Sequence, residues 1–206
     1  MSRTRNLALF DFDGTLTDND NFSAFLWYAT PWWRLLLASP LLLPLKWGWQ
    51  RGWLSSAFTR RWVSRLAYSG RRQRSLEHLG QRYIAGRAKQ ILRPEAIERL
   101  RWHQTNGDTV VLVSASLHVY LQPWCQQHNI ELLCSELRFV GGRATGGYVA
   151  GDCANHYKAQ RVQARYNLDH YHAVYAYGDT DEDLPMLALA DHPYLNGQPY
   201  TNPLTS

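Results

Sequence analysis

In LALFDFDGTLTDND, residues 7–20, a continuous apolar run from Leu7 to Phe10 ends abruptly in Asp11, with Asp13 two residues on and Asp18 and Asp20 close behind. Such a run, closed by Gly14, reads as a short buried strand within residues 5–16. Carboxylates crowded at the tip of a buried strand repel one another and resist desolvation unless a cation or cationic side chains join them. The rest of the chain has to supply that partner.

The chain has 206 residues, 45% of them hydrophobic and 19% charged, enough for one good core or for one domain carrying a sizeable insertion. It contains no low-complexity tail and no internal repeat. Cys125, Cys134 and Cys153 form no CxxC or Cys/His pattern and read as reduced, mostly buried thiols of a cytoplasmic protein. The start MSRTRN is basic, but the LALFDFD that follows is too short and too acidic for a signal-peptide core. A net charge of +5 hides a sharp division: residues 17–94 hold 13 Lys/Arg against Asp18, Asp20 and Glu77, while the remainder has an acidic excess. Seven of the nine tryptophans also fall in the basic segment. Two regions with different surroundings are expected.

Along the chain, residues 22–93 have a helical texture punctuated by Pro31, Pro40 and Pro44, with Gly70 before a further helix. Pro94 suits the first turn of another helix, which Gly107 ends. TVVLVSAS (109–116) is a second buried strand, followed by a helix over 117–128, and IELLCSEL (130–137) is a third. RFVGGRATGGYVAG (138–151) has the glycine spacing of a β-hairpin on a sheet edge. A helix over 155–166 precedes AVYAYGDT (173–180), a fourth buried strand, then a helix in DEDLPMLALA and a last short strand in PYLNG. Apolar strands alternating with helices predict an α/β fold, a Rossmann-like parallel sheet with helices on both faces. The helical segment is then a cap inserted after strand 1, with 1–16 and 94–206 forming the core and 17–93 the cap. In such sheets ligands bind beyond the carboxyl ends of the strands. Asp11, Ser114 and Asp179 end strands one, two and four, so they converge on one edge.

Four signals in order carry the chemistry: Asp11-x-Asp13-Gly14-Thr15, Ser114 after an apolar strand, Lys158 near a helix start, and GDTDED (178–183) after another apolar strand. Together they resemble the haloacid dehalogenase superfamily of phosphohydrolases, over roughly 5–16 and 95–200. Within it the chain looks most like the subgroup that includes phosphoserine phosphatase, whose helical cap follows the first motif. The resemblance implies a phosphomonoester substrate and Mg²⁺. Asp11 would be the nucleophile that forms an aspartyl-phosphate, dividing one hard displacement into two easier ones. Asp13 would give a proton to the leaving alkoxide and later take one from the attacking water. Asp11, the backbone carbonyl of Asp13, and Asp179 would hold the metal, a hard cation that prefers oxygen ligands. Asp183 would fix the metal's waters or the lysine. Ser114 would hold phosphoryl oxygens, and Lys158 would neutralise them and lower their repulsion with Asp11.

Several residues depart from the subgroup or invite other roles. Glu182 stands where phosphoserine phosphatases usually have an asparagine, and Ser114-Ala115-Ser116 replaces Ser-Gly-Gly, leaving Ser116 as a candidate substrate contact. Asp20 stands where those enzymes use a glutamate on the substrate ammonium; it is equally suited to cap the helix beginning NFSAFLWY. Arg60 and Arg61 fall near the place of an arginine on the substrate carboxylate. His118 and His156 read as polar helix-start residues and Cys153 as packing.

The cap stretch PWWRLLLASPLLLPLKWGWQRGW (31–53) reads either as core of a helical lid or as a membrane-interface segment, because tryptophans and basic residues flank its leucines. Pro40, Pro44 and Lys46 break the run below the length a spanning helix needs. Nucleic acid is not expected, since the aromatics stand among leucines rather than polar neighbours. The cap's texture is similar to bacterial C-type phosphatidylglycerophosphate phosphatases. The leading expectation is therefore a phosphomonoesterase, cytoplasmic and peripheral on the inner face of the membrane, acting on a phosphorylated lipid through an anionic membrane surface. The alternatives are a phosphatase of a small soluble metabolite such as phosphoserine or a sugar phosphate, or a phosphotransferase by the same route. The oligomeric state is not legible.

Overall fold

The computed structural model describes residues 5–201; the basic start at 1–4 and the tail at 202–206 lie outside the described residues. β1 (Leu7–Phe10) is buried along its whole length. Leu7 and Leu9 enter one hydrophobic cluster, Ala8 and Phe10 another, so successive side chains feed the two faces of one sheet. An unbroken apolar strand is stable only when both faces are covered. β2 (Thr109–Leu117) and β6 (Val174–Gly178) flank β1, both parallel to it. β3 (Glu131–Ser135) and β7 (His192–Leu195) extend the parallel order outward, and a two-residue antiparallel strand, β8 (Gln198–Pro199), closes one edge. Helices α5 (Pro94–Thr105) and α6 (His118–His128) cover the face that holds Phe10; α7 (His156–Arg165) and α8 (Leu184–Leu187) cover the face that holds Leu9. The structure is thus an α/β sheet flanked by helices.

After β1 the chain makes a helical insertion: α1 (Asn21–Ala29), α2 (Trp32–Gln50), α3 (Ser56–Tyr68) and α4 (Gln73–Ile91). Its two connections run side by side, Asp18 N–H donating to the Ile91 carbonyl (3.1 Å) and Arg93 N–H to the Leu16 carbonyl (2.9 Å). Phe25, Tyr68 and Tyr83 of the insertion share one hydrophobic cluster with Phe10 and Tyr120 of the core. Gly80 makes that docking close: a Cβ there would stand 2.0 Å from the Val119 carbonyl oxygen, so α4 lies directly against the start of α6.

Two local expectations are corrected. The hairpin β4 (Leu137–Val140) and β5 (Arg143–Tyr148) forms, but as a separate two-stranded sheet rather than on the edge of the main one. Its backbone pairs instead with the cap, Gly70 N–H donating to the Ala144 carbonyl and Ala144 N–H to the Arg71 carbonyl, each at 2.8 Å. Gly146 lets the Arg65 backbone of α3 approach within 2.5 Å of where its Cβ would be. The second correction concerns Pro40 and Pro44, which lie inside a continuous α2 rather than breaking it. Proline at position 40 leaves the Leu36 carbonyl without its helical donor. The Ser39 hydroxyl donates to that carbonyl at 2.7 Å and replaces the missing bond.

Candidate active site

Asp11 is the first residue past β1, its N–H still held by the Tyr177 carbonyl of β6 at 3.0 Å. The chain then turns through Phe12–Leu16, with Gly14 at φ +78°. A Cβ on Gly14 would lie 2.0 Å from an Asp179 carboxylate oxygen, so only glycine lets the turn pass beneath the end of β6.

The first turn of α7 carries the buried Lys158 into this edge. Its Nζ donates to Asp11 Oδ1 at 2.5 Å and to Asp183 Oδ1 at 2.6 Å. Asp183, also buried, uses its other oxygen to accept the N–H groups of Asp179 (3.0 Å) and Thr180 (3.2 Å). Thr15 Oγ1 approaches Asp179 Oδ1 at 3.5 Å. Carboxylate oxygens of Asp11, Asp179 and Asp183 lie within 4.8 Å of one another. Burial pushes the Asp11 carboxyl well above the usual carboxylate range, with Asp183 and Asp13 adding to the rise and Lys158 opposing it. Burial and the Asp183 charge likewise push Asp179 up, to about 6. Burial alone would lower the Lys158 pKa, but Asp11 and Asp183 hold it above the ordinary lysine range, so it stays an ammonium. Three carboxylates against one lysine leave excess negative charge in a desolvated place, and an all-oxygen donor set suits a hard cation such as Mg²⁺. The trio contains Asp11 and Asp179, the two carboxylates of the expected metal set, and adds Asp183 beside them.

Asp13 turns its carboxylate the other way. Its Oδ1 accepts from Asn21 N–H (3.0 Å) and Asn21 Nδ2 (2.8 Å), and its Oδ2 from the Ser116 hydroxyl. It sits at the N-terminal end of α1, where partial positive charge favours an anion. Burial raises its pKa, and the bonds from Ser116 and Asn21 restrain the rise. Ser114 is buried, its Oγ accepting Ser116 N–H at 3.1 Å, which leaves the hydroxyl hydrogen for another acceptor.

The remaining candidates are placed as follows. Asp20 caps α1, accepting Ser23 N–H at 3.0 Å. Arg60 of α3 reaches across to the core, pairing with Asp152 at 2.8 Å and Glu182 at 3.0 Å, so Glu182 points into the cap contact. Arg61 is exposed on α3 and enters no hydrogen bond or ion pair among the described residues. His118 accepts Leu137 N–H at 3.2 Å, His156 is exposed beside Tyr157, and Cys153 is buried packing. Sequence reasoning missed Asn21 as an orienting group. It is wholly buried, and its Oδ1 accepts the Tyr83 hydroxyl at 2.9 Å, so α1 and α4 jointly aim it at Asp13. An asparagine directly after a helix cap and before an apolar run was the available signal.

A buried aspartate paired with a buried lysine at the carboxyl edge of a parallel sheet, beside a carboxylate cluster able to hold a cation and under a helical insertion, is an arrangement suited to a capped hydrolase. The model of the family described as haloacid dehalogenase-like hydrolase matches residues 8–188. The chain belongs to that family and is a hydrolase of the phosphatase kind. Protein CicA of Caulobacter vibrioides is 32% identical over 194 residues, spanning 90% of this chain and 83% of the relative. A histidinol-phosphatase of Neisseria meningitidis serogroup C is 25% identical over 199 residues, spanning 92% and 89%. In fold, the chain is similar to a protein of unknown function from Bordetella pertussis Tohama I (TM-score 0.75, 24% identity, 92% and 89% covered). It is also similar to a substrate-bound phosphoserine phosphatase (TM-score 0.66, 17% identity, 94% and 87% covered).

Proposed function

We propose that the protein hydrolyses the phosphomonoester of a small soluble metabolite through an aspartyl-phosphate on Asp11. The observation that carries this reading is the buried Asp11–Lys158–Asp183 cluster, with Asp13 oriented separately by Asn21 and Ser116. An Asp11 oxygen forms a bond to phosphorus as the ester P–O bond breaks, and Asp13 gives its proton to the departing alkoxide. Water then adds to the same phosphorus, Asp13 takes the water's proton, and the P–O bond to Asp11 breaks to release inorganic phosphate. The raised pKa of Asp13 suits a group that carries a proton in both directions. Lys158 and the Ser114 hydroxyl hold non-bridging phosphoryl oxygens. Asp11 and Asp179, together with the Asp13 backbone carbonyl, would hold Mg²⁺, and Asp183 positions Lys158. The metal supplies neutralisation of the phosphoryl charge.

A small substrate is favoured by the full-length likeness to a histidinol-phosphatase and by the fold shared with phosphoserine phosphatase. Arg60, already paired to Asp152 and Glu182, closes the cap over the site rather than standing free for a substrate carboxylate. A second reading, a phosphorylated lipid such as phosphatidylglycerophosphate, is favoured by the many exposed tryptophans and leucines of α2. The test is Mg²⁺-dependent phosphate release from phosphoserine, histidinol phosphate, sugar phosphates and an aryl phosphate, beside phosphatidylglycerophosphate in mixed micelles. Turnover of a soluble ester that falls about a thousandfold or more in Asp11→Asn is expected. Release from the lipid alone would replace the substrate assignment. Full activity in Asp11→Asn would overturn the mechanism, and faster transfer to an added alcohol than to water would make the enzyme a phosphotransferase.

A further inference from the structure

α2 is a helix with no polar face. Leu35, Ala38, Leu42 and Leu45, spaced by three and four residues, turn inward and pack in the seam with α1 and α3 or lie half-buried beside it. The opposite side is just as apolar. Trp33, Leu36, Leu37, Leu41, Leu43 and Trp47 are all exposed, Leu37 by 74%. A helix that is apolar all round belongs in the interior of a protein or in a membrane environment. Here half of it faces outward, on a hairpin with α3 that the other described residues leave uncovered. No helix among the described residues is long and apolar enough to cross a membrane, so a lipid contact of α2 would lie along the surface.

Charge distinguishes the occupants of this face. Between Asp20 and Glu77 there are nine Lys/Arg and no acidic residue. Lys46 and Arg51, exposed at the end of α2, border the apolar face, and Arg51 stacks 4.7 Å from the Trp47 ring. On α3 the exposed side repeats the pattern: Phe58, Arg61, Trp62 and Arg65 are spaced by three and four residues, opposite the inward-facing Arg60 and Ser64. A second copy related by a two-fold axis would set these basic surfaces against each other. A bilayer with anionic headgroups offers the opposite charge, apolar depth for the leucines, and the interfacial zone that indoles favour.

We propose that the outward face of the α2–α3 hairpin docks the protein on an anionic lipid surface, leucines entering the acyl boundary and Lys46, Arg51, Arg61 and Arg65 among the headgroups. The docking does not depend on the substrate: it would hold a soluble-ester phosphatase at the membrane as readily as a lipid phosphatase. The test is co-sedimentation of the full chain with vesicles of phosphatidylcholine alone and of equal parts phosphatidylcholine and phosphatidylglycerol, at low and high salt. Circular dichroism melts would report folding independently of catalysis. Wild type is expected to bind the phosphatidylglycerol vesicles about tenfold or more tightly than phosphatidylcholine, less so at high salt. Lys46→Ala/Arg51→Ala should weaken that binding roughly thirtyfold. Leu37→Glu/Leu41→Glu should abolish it with the melt and the turnover of a soluble ester unchanged. Equal binding to both vesicle types, no binding at low salt, or undiminished binding by a folded Leu37→Glu/Leu41→Glu variant would overturn the proposal. So would a dimer, seen by light scattering, that this variant disperses in a protein that ignores vesicles. Should the glutamate variant fail to melt cooperatively, the alanine pair decides the outcome.

Discussion

Lys158 is the residue on which the site's electrostatics turn. It is the cation that lets Asp11 and Asp183 be buried within 2.6 Å of one ammonium. Lys158→Met should therefore cost stability as well as activity, about 3–5 kcal/mol, because two buried carboxylates lose their partner. Urea titration beside the wild type checks this, and an unchanged midpoint would contradict it. In the proposed mechanism Asn21 is a positioning residue that acts through Asp13, to which it donates two hydrogen bonds. Its hydrogen bonds favour the ionised carboxylate and hold down a pKa that burial raises. Removing them in Asn21→Ala should raise the Asp13 pKa further, moving the corresponding limb of the pH–rate profile to higher pH. The turnover number should fall about tenfold to a hundredfold. A rate loss without a shift of the profile would mean that Asn21 serves packing alone.

At the scale of elements, two of the contacts that join the cap to the core can be tested separately. One is backbone against backbone: α4 meets α6 at Gly80, where even a methyl group would collide with the Val119 carbonyl. Gly80→Ala should destabilise the protein by about 1–3 kcal/mol through forced separation of the two helices, despite alanine's better helix propensity. A thermal melt reads the sign directly. The other contact is the Arg60 pair with Asp152 and Glu182, well shielded from solvent on the arginine and Asp152 sides. Arg60→Ala leaves two carboxylates without their cation and should release α3 and the β4–β5 hairpin. Amide hydrogen exchange in 56–68 and 137–148 should speed up while β1 and β2 stay protected. Uniform acceleration throughout would show that the cap and core open together instead.

Across the whole molecule, the acidic edge links metal, pH and stability. Without metal, Asp179 binds its proton more tightly folded, at about 6, than its ordinary 3.8. The folded state therefore holds more protons than the unfolded state between those values, and stability from this group falls as pH rises through that window. Mg²⁺ needs the ionised carboxylates, so it reverses the trend. The rise in melting temperature on adding Mg²⁺ should be small near about pH 4.5 and large near about pH 7.5. Asp179→Asn should lose most of that difference. An equal Mg²⁺ effect at both pH values would show that the cation binds elsewhere.

The sheet and its edge were legible in the chain itself, because their causes are local. Uninterrupted apolar strands require two covered faces, and parallel order brings their ends together: Asp11 and Asp179 stand just past β1 and β6, whereas β2 runs on three residues beyond the expected end at Ser114, to Leu117. The placement of Lys158 beside Asp11 came from the resemblance, since nothing within 147 residues of separation sets that distance. Only the tertiary structure decided the rest. Whether Asp20 capped a helix, whether Glu182 met the substrate side or Arg60, and whether Asp13 was held by Asn21 all depend on how the cap sits on the core. The hairpin was readable from its glycines but not its partner, because unpaired strand edges accept whatever backbone arrives, here Gly70 and Arg71. Pro40 and Pro44 misled for a related reason: a proline removes one helical donor, and a neighbouring Ser39 hydroxyl restores the bond in a way composition does not reveal. Composition set how apolar α2 is; only the fold determined that half of it faces outward.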